Sequence, residues 1–369
     1  MKKKPLITLV FISIAFFLLN INCAVMAASM STYSTYPPFM SATVKSNVLV
    51  ILDTSTSMLK YAYTGSYSSS NTYDGYFDDT ADYSYDATNK YFYEDSSGSW
   101  DGNFLNWVTM RRMDIAKKVL TGGRTATAAD SSTVLLGQPY PNGCGWASGF
   151  ETDKSYDGDD YDSVRVVDAT GPYFRVNGSG QYYIRVKVSS TPTGIVQDMA
   201  DSVRFGLEIY SPTYLSSSHD ADEGGKVLVS CDEGDASHIA TMVSTINSQD
   251  MLSDPAGADT WTQMAESLYS AAGYFAQDST VSASTGPMYA AGDYTVNAGA
   301  AGDPHYFGAS IGTVWCAKNF VILISDGEAL HDGALPAALQ GSIGETCGSE
   351  CYLDSSSSVA RFYWRDMWF

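Results

Sequence analysis

The sequence predicts an α/β fold in which a mostly parallel central sheet is flanked by helices. Three observations predict it. Residues 47–52 (Asn-Val-Leu-Val-Ile-Leu) and 319–324 (Asn-Phe-Val-Ile-Leu-Ile) are short, continuous apolar runs, the pattern of strands buried on both faces. Strand-like and helix-like segments alternate between them, which argues for a parallel sheet covered on both sides. Both runs are closed by an aspartate, Asp53 directly and Asp326 after one serine, and open parallel sheets carry their ligands beyond the C-terminal ends of such strands.

The elements follow in order. Lys2, Lys3 and Lys4 precede an apolar run over 6–19 that is too short for a comfortable membrane span. Val25-Met26-Ala27 then supplies small residues at a cleavage site, so residues 1–27 read as a secretory signal peptide. Asn20-Ile21-Asn22 before Cys23 lacks the Leu and small residues of a lipidation site. Residues 28–45 are an extended lead-in rich in Ser, Thr, Tyr and Pro. The first strand, 47–52, opens a domain expected over 46–335.

Residues 59–101 are dominated by Tyr, Ser, Asp and Gly without helical period, and read as a long surface insertion. Over 102–123, Phe104, Leu105, Val108, Ile115, Val119 and Leu120 recur at near-helical spacing, and Gly122-Gly123 gives a stop: one amphipathic helix, with Arg111 and Arg112 on a solvated face. Residues 124–197 form a second, β-rich insertion, with alternation at 163–167 and 182–188. A short helix is expected near 196–201, strands at 203–210 and 226–229, and helices at 236–246 and 262–275. A Gly/Ala/Ser/Tyr-rich loop over 278–312 leads to the last strand.

Composition bounds the partners. The chain of 369 residues has 21 Lys plus Arg against 41 Asp plus Glu, a net charge of −20, which sets nucleic acid and anionic membranes aside. After the signal peptide no further apolar run is long enough to span a membrane. Export favours disulfides among Cys144, Cys231, Cys316, Cys347 and Cys351; Cys347–Cys351 and Cys231–Cys316 are the readable pairings, without excluding others. The acidic stretch 157–162 reads as a solvated loop rather than a calcium hand, whose ligand spacing it lacks. His219, His238, His305 and His331 are scattered, with no nucleophile–base motif around them, so no catalytic residues are assigned and the chain is read as a non-enzyme.

The chemistry lies where the strands end. Asp53-Thr54-Ser55-Thr56-Ser57 is an Asp-x-Ser-x-Ser turn that offers a carboxylate and two hydroxyls to one point. Mg²⁺ takes such oxygen ligands and keeps open or water-filled positions. With Thr262 opening a later helix and Asp326 closing a later strand, the set resembles the metal-ion-dependent adhesion site of von Willebrand factor A domains. That resemblance implies a Rossmann-like A domain and a metal site of Asp53, Ser55, Ser57, Thr262 and Asp326, holding Mg²⁺, or else Mn²⁺ or Ca²⁺, with a partner carboxylate completing the coordination. Trp261 stands where A domains usually have Gly, which narrows access to the metal.

A narrower resemblance rests on Trp100-Asp101-Gly102-Asn103-Phe104-Leu105-Asn106-Trp107 with its continuation to Asp114, on Val203-Arg204-Phe205-Gly206, and on residues 316–328. These are similar to the PilC/PilY family of type IV pilus proteins. The likeness implies a Gram-negative protein of the cell surface, pilus tip or outer membrane, passing through the periplasm, that supports pilus assembly and adhesion through minor pilins or a host surface ligand. A structural assembly factor docking on minor pilins is the alternative, and an exported metal-dependent hydrolase a remote one. Family members continue into a C-terminal β-propeller, so residues 336–369, with their two cysteines, are expected to begin a truncated continuation.

Overall fold

The computed structural model describes residues 44–139, 153–164, 171–210, 224–249, 262–277, 294–327, 352–353 and 360–361. The expected signal peptide, most of the lead-in, Cys144, Cys347 and Cys351 lie outside them. The chain divides into two units, Met1–Lys45 and Ser46–Phe369, and all elements below belong to the second. In chain order they are β1 (Ser46–Leu52), a 3-10 turn (Thr56–Leu59), β2 (Asp82–Asp86), β3 (Tyr91–Glu94), β4 (Trp100–Asp101), α1 (Gly102–Thr109), α2 (Arg112–Thr121), β5 (Thr125–Thr127) and β6 (Thr133–Leu136). Then come β7 (Asp153–Tyr156), β8 (Asp159–Val164), β9 (Tyr173–Val176), β10 (Ser179–Tyr183), β11 (Arg185–Lys187), α3 (Ile195–Asp198) and β12 (Val203–Tyr210). The last are β13 (Gly225–Val229), α4 (Ala236–Ser248), α5 (Met264–Ala276), β14 (Asn319–Ile324) and the short pair β15 (Tyr352–Leu353) and β16 (Ala360–Arg361).

The fold is α/β. Its central sheet has the order β13-β12-β1-β14. β1 runs parallel to β12, with Leu52 opposite Ile209, and parallel to β14, with Leu52 opposite Ile324. β13 closes the far side antiparallel to β12. Period-two alternation in β1 divides its apolar residues between two cores. Val48, Val50 and Leu52 pack with Met113 and Leu120 of α2, Val196 of α3, and Met242 and Ile246 of α4. Leu49 and Ile51 pack on the other face with Ala271 and Tyr274 of α5. At roughly 1.5–3 kcal/mol for each fully buried Val, Leu or Ile side chain, burial on both faces is what holds this strand central.

Expectation and structure part at several places. β14 was expected to be buried like β1, yet Phe320, Val321 and Ile322 are exposed, because among the described residues β14 is an edge strand paired by β1 alone. The helix expected over 102–123 is two helices. Met110 and Arg111 are extended, and antiparallel pairing of Tyr61 with Arg111 takes up their backbone: Ala62 N–H donates to Met110 O and Arg112 N–H to Lys60 O. Arg111 is buried rather than solvated, its guanidinium 3.9 Å above the Tyr61 ring.

The two expected insertions are not separate surface loops. Their strands join in a six-stranded sheet, β4-β2-β3-β11-β6-β5, beside the four-stranded β10-β9-β8-β7. Tyr73, Tyr76, Phe77, Tyr83 and Phe92 of the Tyr-rich stretch are buried with Phe104, Trp107 and Phe174 in one aromatic core. Two buried asparagines of α1 stitch that stretch down. Asn106 donates from Nδ2 to Tyr73 O and Phe77 O, and its Oδ1 accepts from Phe77 N–H; Asn103 Oδ1 accepts from Tyr73 N–H. Gly75 is required there, since a Cβ would stand 2.1 Å from Asn106 Oδ1. The acidic stretch is a hairpin between β7 and β8, turned at Asp157-Gly158.

Cys231 and Cys316 are not linked. Both thiols are free, one buried against the central sheet and the other exposed before β14, so they face different surroundings.

Candidate functional site

The site lies at the C-terminal ends of β1 and β14. Parallel register sets Leu52 beside Ile324, and Asp53 N–H donates to Ile324 O at 2.9 Å, so the two chains leave the sheet side by side. Asp53-Ser55-Ser57 then meets Ser325-Asp326.

Four of the five residues expected to form the site come together here. Asp53 Oδ1 accepts from the Ser55 N–H at 2.6 Å, an Asx-type turn that tightens the loop. Asp53 Oδ2 accepts from Ser325 Oγ at 2.6 Å. Ser55 Oγ and Ser57 Oγ are 2.8 Å apart, and Ser57 Oγ donates to Asp326 Oδ1 at 2.7 Å. The result is a cluster of carboxylate and hydroxyl oxygens across two strand ends, with the Ser55 N–H joining Asp53 to the serine hydroxyls. Asp53 is buried, and burial raises its carboxyl above the usual range, against the hydrogen bonds from Ser325 and Ser55 and the field of Arg112.

Thr262, the fifth, is placed by a longer route. It is buried two residues before α5. Its neighbour Gln263 accepts at Oε1 from Gly224 N–H at 2.9 Å; Gly225 pairs with Tyr210 at the end of β12, and Tyr210 O accepts from Thr54 Oγ1 at 3.4 Å. The start of α5 is thereby tied to the same end of the sheet as the Asp53 loop. Among the described residues no hydrogen bond joins the Thr262 side chain to the other four.

Two contributors carry no signal as site residues in the sequence. Ser325 is the residue between β14 and Asp326, and its hydroxyl orients Asp53. Arg112 was read as a solvated helix residue, yet its guanidinium pairs with Asp326 Oδ2 and approaches Ser57 O at 3.5 Å. The break after α1, which the helical pattern does not reveal, turns α2 so that its first residue faces the strand ends.

All the donors are oxygens, the chemistry that hard divalent cations select. Among the described residues no cluster of three or more His, Cys, Asp and Glu is placed to hold a metal; this site has two carboxylates and draws its remaining oxygens from hydroxyls. Elsewhere, Asp162 is paired with Arg175, Asp160 accepts from Ser155, and Asp159 accepts from Asn177, so the acidic hairpin is held by local bonds. The Nε2 atoms of His238 and His305 lie against the backbone carbonyls of Phe205 and Phe275.

Residues 64–194 match the profile of a family described as "PilY1 homolog, small alpha/beta domain". This stretch covers nearly all of the two expected insertions, with α1 and α2 between them. The Type IV pilus biogenesis factor PilY1 homolog of Xylella fastidiosa (strain Temecula1 / ATCC 700964) is 31% identical over 102 residues, which are 27% of this chain and 6% of that relative. No solved structure matches the chain. The chain is thus related to PilY1 homologues over its small α/β portion.

Proposed function

We propose that the chain is a metal-dependent binding module of a type IV pilus system. Asp53, Ser55, Ser57, Thr262 and Asp326 hold one divalent cation, Mg²⁺ by preference and Mn²⁺ or Ca²⁺ otherwise. The observation that carries this is the gathering of oxygens where two parallel strands end: the Asp53 carboxylate, held by the Ser55 N–H, and the Ser55 and Ser57 hydroxyls, which lead on to Asp326. The reading as a von Willebrand A-type setting is supported by the parallel strands β12, β1 and β14, with helices packed on both faces of β1.

The residues fit a cation physically. A carboxylate as buried as Asp53 costs free energy unless compensated, and two hydrogen bonds with a half-shielded arginine compensate it in part. When bound, the cation supplies an electropositive position open to a carboxylate from outside. Ser325 and the Ser55 N–H hold Asp53 in one orientation, and Ser57 sets Asp326. The role proposed is binding, not catalysis. The name of the Xylella relative supports a part in pilus biogenesis, and on this reading the chain is exported to the cell surface and meets pilus components or a host ligand.

Isothermal titration of the chain with MgCl₂, MnCl₂ and CaCl₂, beside an Asp53→Ala variant, tests the reading. Binding by the parent and its loss in the variant is the expected result. Equal heats from both would remove the site.

A second reading is favoured by Arg112. Its guanidinium already neutralises Asp326, so the loop is alternatively closed by the chain's own cation and serves as a rigid docking piece on minor pilins. Gene deletion then abolishes pili; loss of a metal-dependent adhesin leaves pili that fail to attach.

A further inference from the structure

A second candidate binding place lies in the small α/β portion, away from the strand ends. A cleft of about 540 Å³ opens between the junction of β4 with α1 and the β7–β10 sheet. That volume is within the range of ligand sites. Tyr67, Trp100, Phe104, Tyr156, Tyr161 and Tyr182 supply its rings, and the carboxylates of Asp101 and Asp159 line it too. No Lys, Arg, His, Asn or Gln is among its lining residues.

The rings meet at steep angles. Tyr67 stands edge-on to Tyr156 at 4.9 Å and to Phe104 at 5.2 Å, and Trp100 to Tyr182 at 5.0 Å. The steep angles keep the rings from stacking flat on one another, and a ring face turned to the cleft is a surface that attracts ammonium and guanidinium groups. Both carboxylates are held in place: Asp101 Oδ1 accepts from Phe104 N–H at 2.7 Å and from Tyr67 OH at 3.3 Å, and Asp159 Oδ1 from Asn177 Nδ2 at 2.6 Å. The chain uses the same chemistry internally. The Lys154 ammonium sits 4.3 Å from the centroids of both Tyr61 and Trp107, and Trp107 packs on Tyr67 of the cleft.

We propose that this cleft receives a lysine or arginine side chain from a basic segment of a protein partner. Charge complementarity selects this occupant. The lining offers ring faces, phenols, one serine hydroxyl and carboxylates, and a net charge of −20 steers cations toward the chain. An oligosaccharide, the other common guest of aromatic clefts, is served less well without amide or basic side chains to pair with its hydroxyl oxygens.

The test is fluorescence anisotropy of labelled acetyl-(Lys-Gly)₄-amide with the full chain in 150 mM salt, which screens diffuse surface attraction. Acetyl-(Glu-Gly)₄-amide and cellopentaose serve as competitors. Tyr156 is 38% exposed, so Tyr156→Ala removes a ring at the mouth, and the near-isosteric Asp159→Asn removes one charge with little risk to folding. Each is expected to weaken the basic peptide about threefold to fivefold. Asp201→Asn, an exposed carboxylate outside the cleft, and Asp53→Ala leave it unchanged, which separates this site from the proposed metal site. Binding that is absent, that falls equally in Asp201→Asn, or that is unaffected by both cleft variants overturns the proposal. Displacement by cellopentaose reassigns the cleft to carbohydrate.

Discussion

The guanidinium of Arg112, the first residue of α2, is paired with Asp326, the residue that ends the β14 turn, across a sequence distance of 214 positions. A cation of the chain's own thereby sits on an oxygen donor of the proposed metal site. The two cations oppose each other, because a fixed positive charge beside a divalent ion costs Coulomb energy. Arg112→Gln is therefore expected to tighten Mn²⁺ and Mg²⁺ binding, by about 1 kcal/mol or several-fold in Kd for this partly exposed pair. Titration calorimetry of parent and variant checks it. Unchanged affinity would detach Arg112 from the site, and no binding in either would favour the metal-free reading.

Asn106 carries a different prediction. Its amide satisfies three backbone groups of the Tyr-rich stretch, at Tyr73 and Phe77, deep in the aromatic core. Asn106→Ala leaves those groups buried and unpaired, a loss of about 3 kcal/mol or more in unfolding free energy. Urea unfolding followed by near-UV circular dichroism reads it, because the aromatic core supplies that signal. A loss below about 1 kcal/mol would mean that the stretch is held by ring packing alone.

Asn103 and Asn106 show which parts of the fold were legible. The central sheet was, because its parallel strands write themselves as unbroken apolar runs: 47–52 lies within β1 and 319–324 is β14. The site turn was legible for the same reason, since Asp53 and Asp326 mark strand ends. The Tyr-rich stretch was not. Its order comes from contacts with Asn103 and Asn106 some 30 residues away, and no local period encodes them. The hairpins at Asp157-Gly158 and Asn177-Gly178 did carry a local signal, the dipeptides that accept positive φ at both turn positions. The acidity of 157–162 masks that turn chemistry. Arg112 was hidden by the break at Met110 and Arg111, which tertiary pairing with Tyr61 imposes on an otherwise helical pattern.

Asp114 sets a pH dependence. It is buried at the start of α2, and burial lifts its carboxyl to about 6, against hydrogen bonds from the Arg111 and Gln138 N–H groups. The unfolded chain holds this proton only to about pH 3.9, so between the two values the folded state binds more protons and stability falls as pH rises. From pH 5 to pH 7 the decline from this residue alone is about 1 kcal/mol, and it levels off above the folded value. Urea midpoints across that range, compared with Asp114→Asn, isolate the contribution as the difference in slope. Parallel slopes would show that Asp114 is ionised at both ends of the range.

Arg204 supplies the control at the opposite end of the sheet. It lies fully buried near the start of β12, donating to Asn47 Oδ1 at 2.9 Å and Tyr306 O at 2.8 Å and to Pro304 O, beside the Phe307 ring and the carboxylates of Asp232 and Glu233. A guanidinium reaches several acceptors at once from a planar fork, and an ammonium on a flexible stem does not. Arg204→Lys is therefore expected to cost about 2–4 kcal/mol, since a buried charge keeps its desolvation penalty while losing partners. Thermal melts read the loss, and titration of the still-folded variant reads the rest. Five residues of β1, 48–52, separate Asn47 of this cluster from the Asp53 turn, so cation affinity below the melting range should match the parent. A parallel drop in affinity would mean that the two ends of the sheet are coupled, and that the site depends on the set of the whole strand rather than on the turn that ends it.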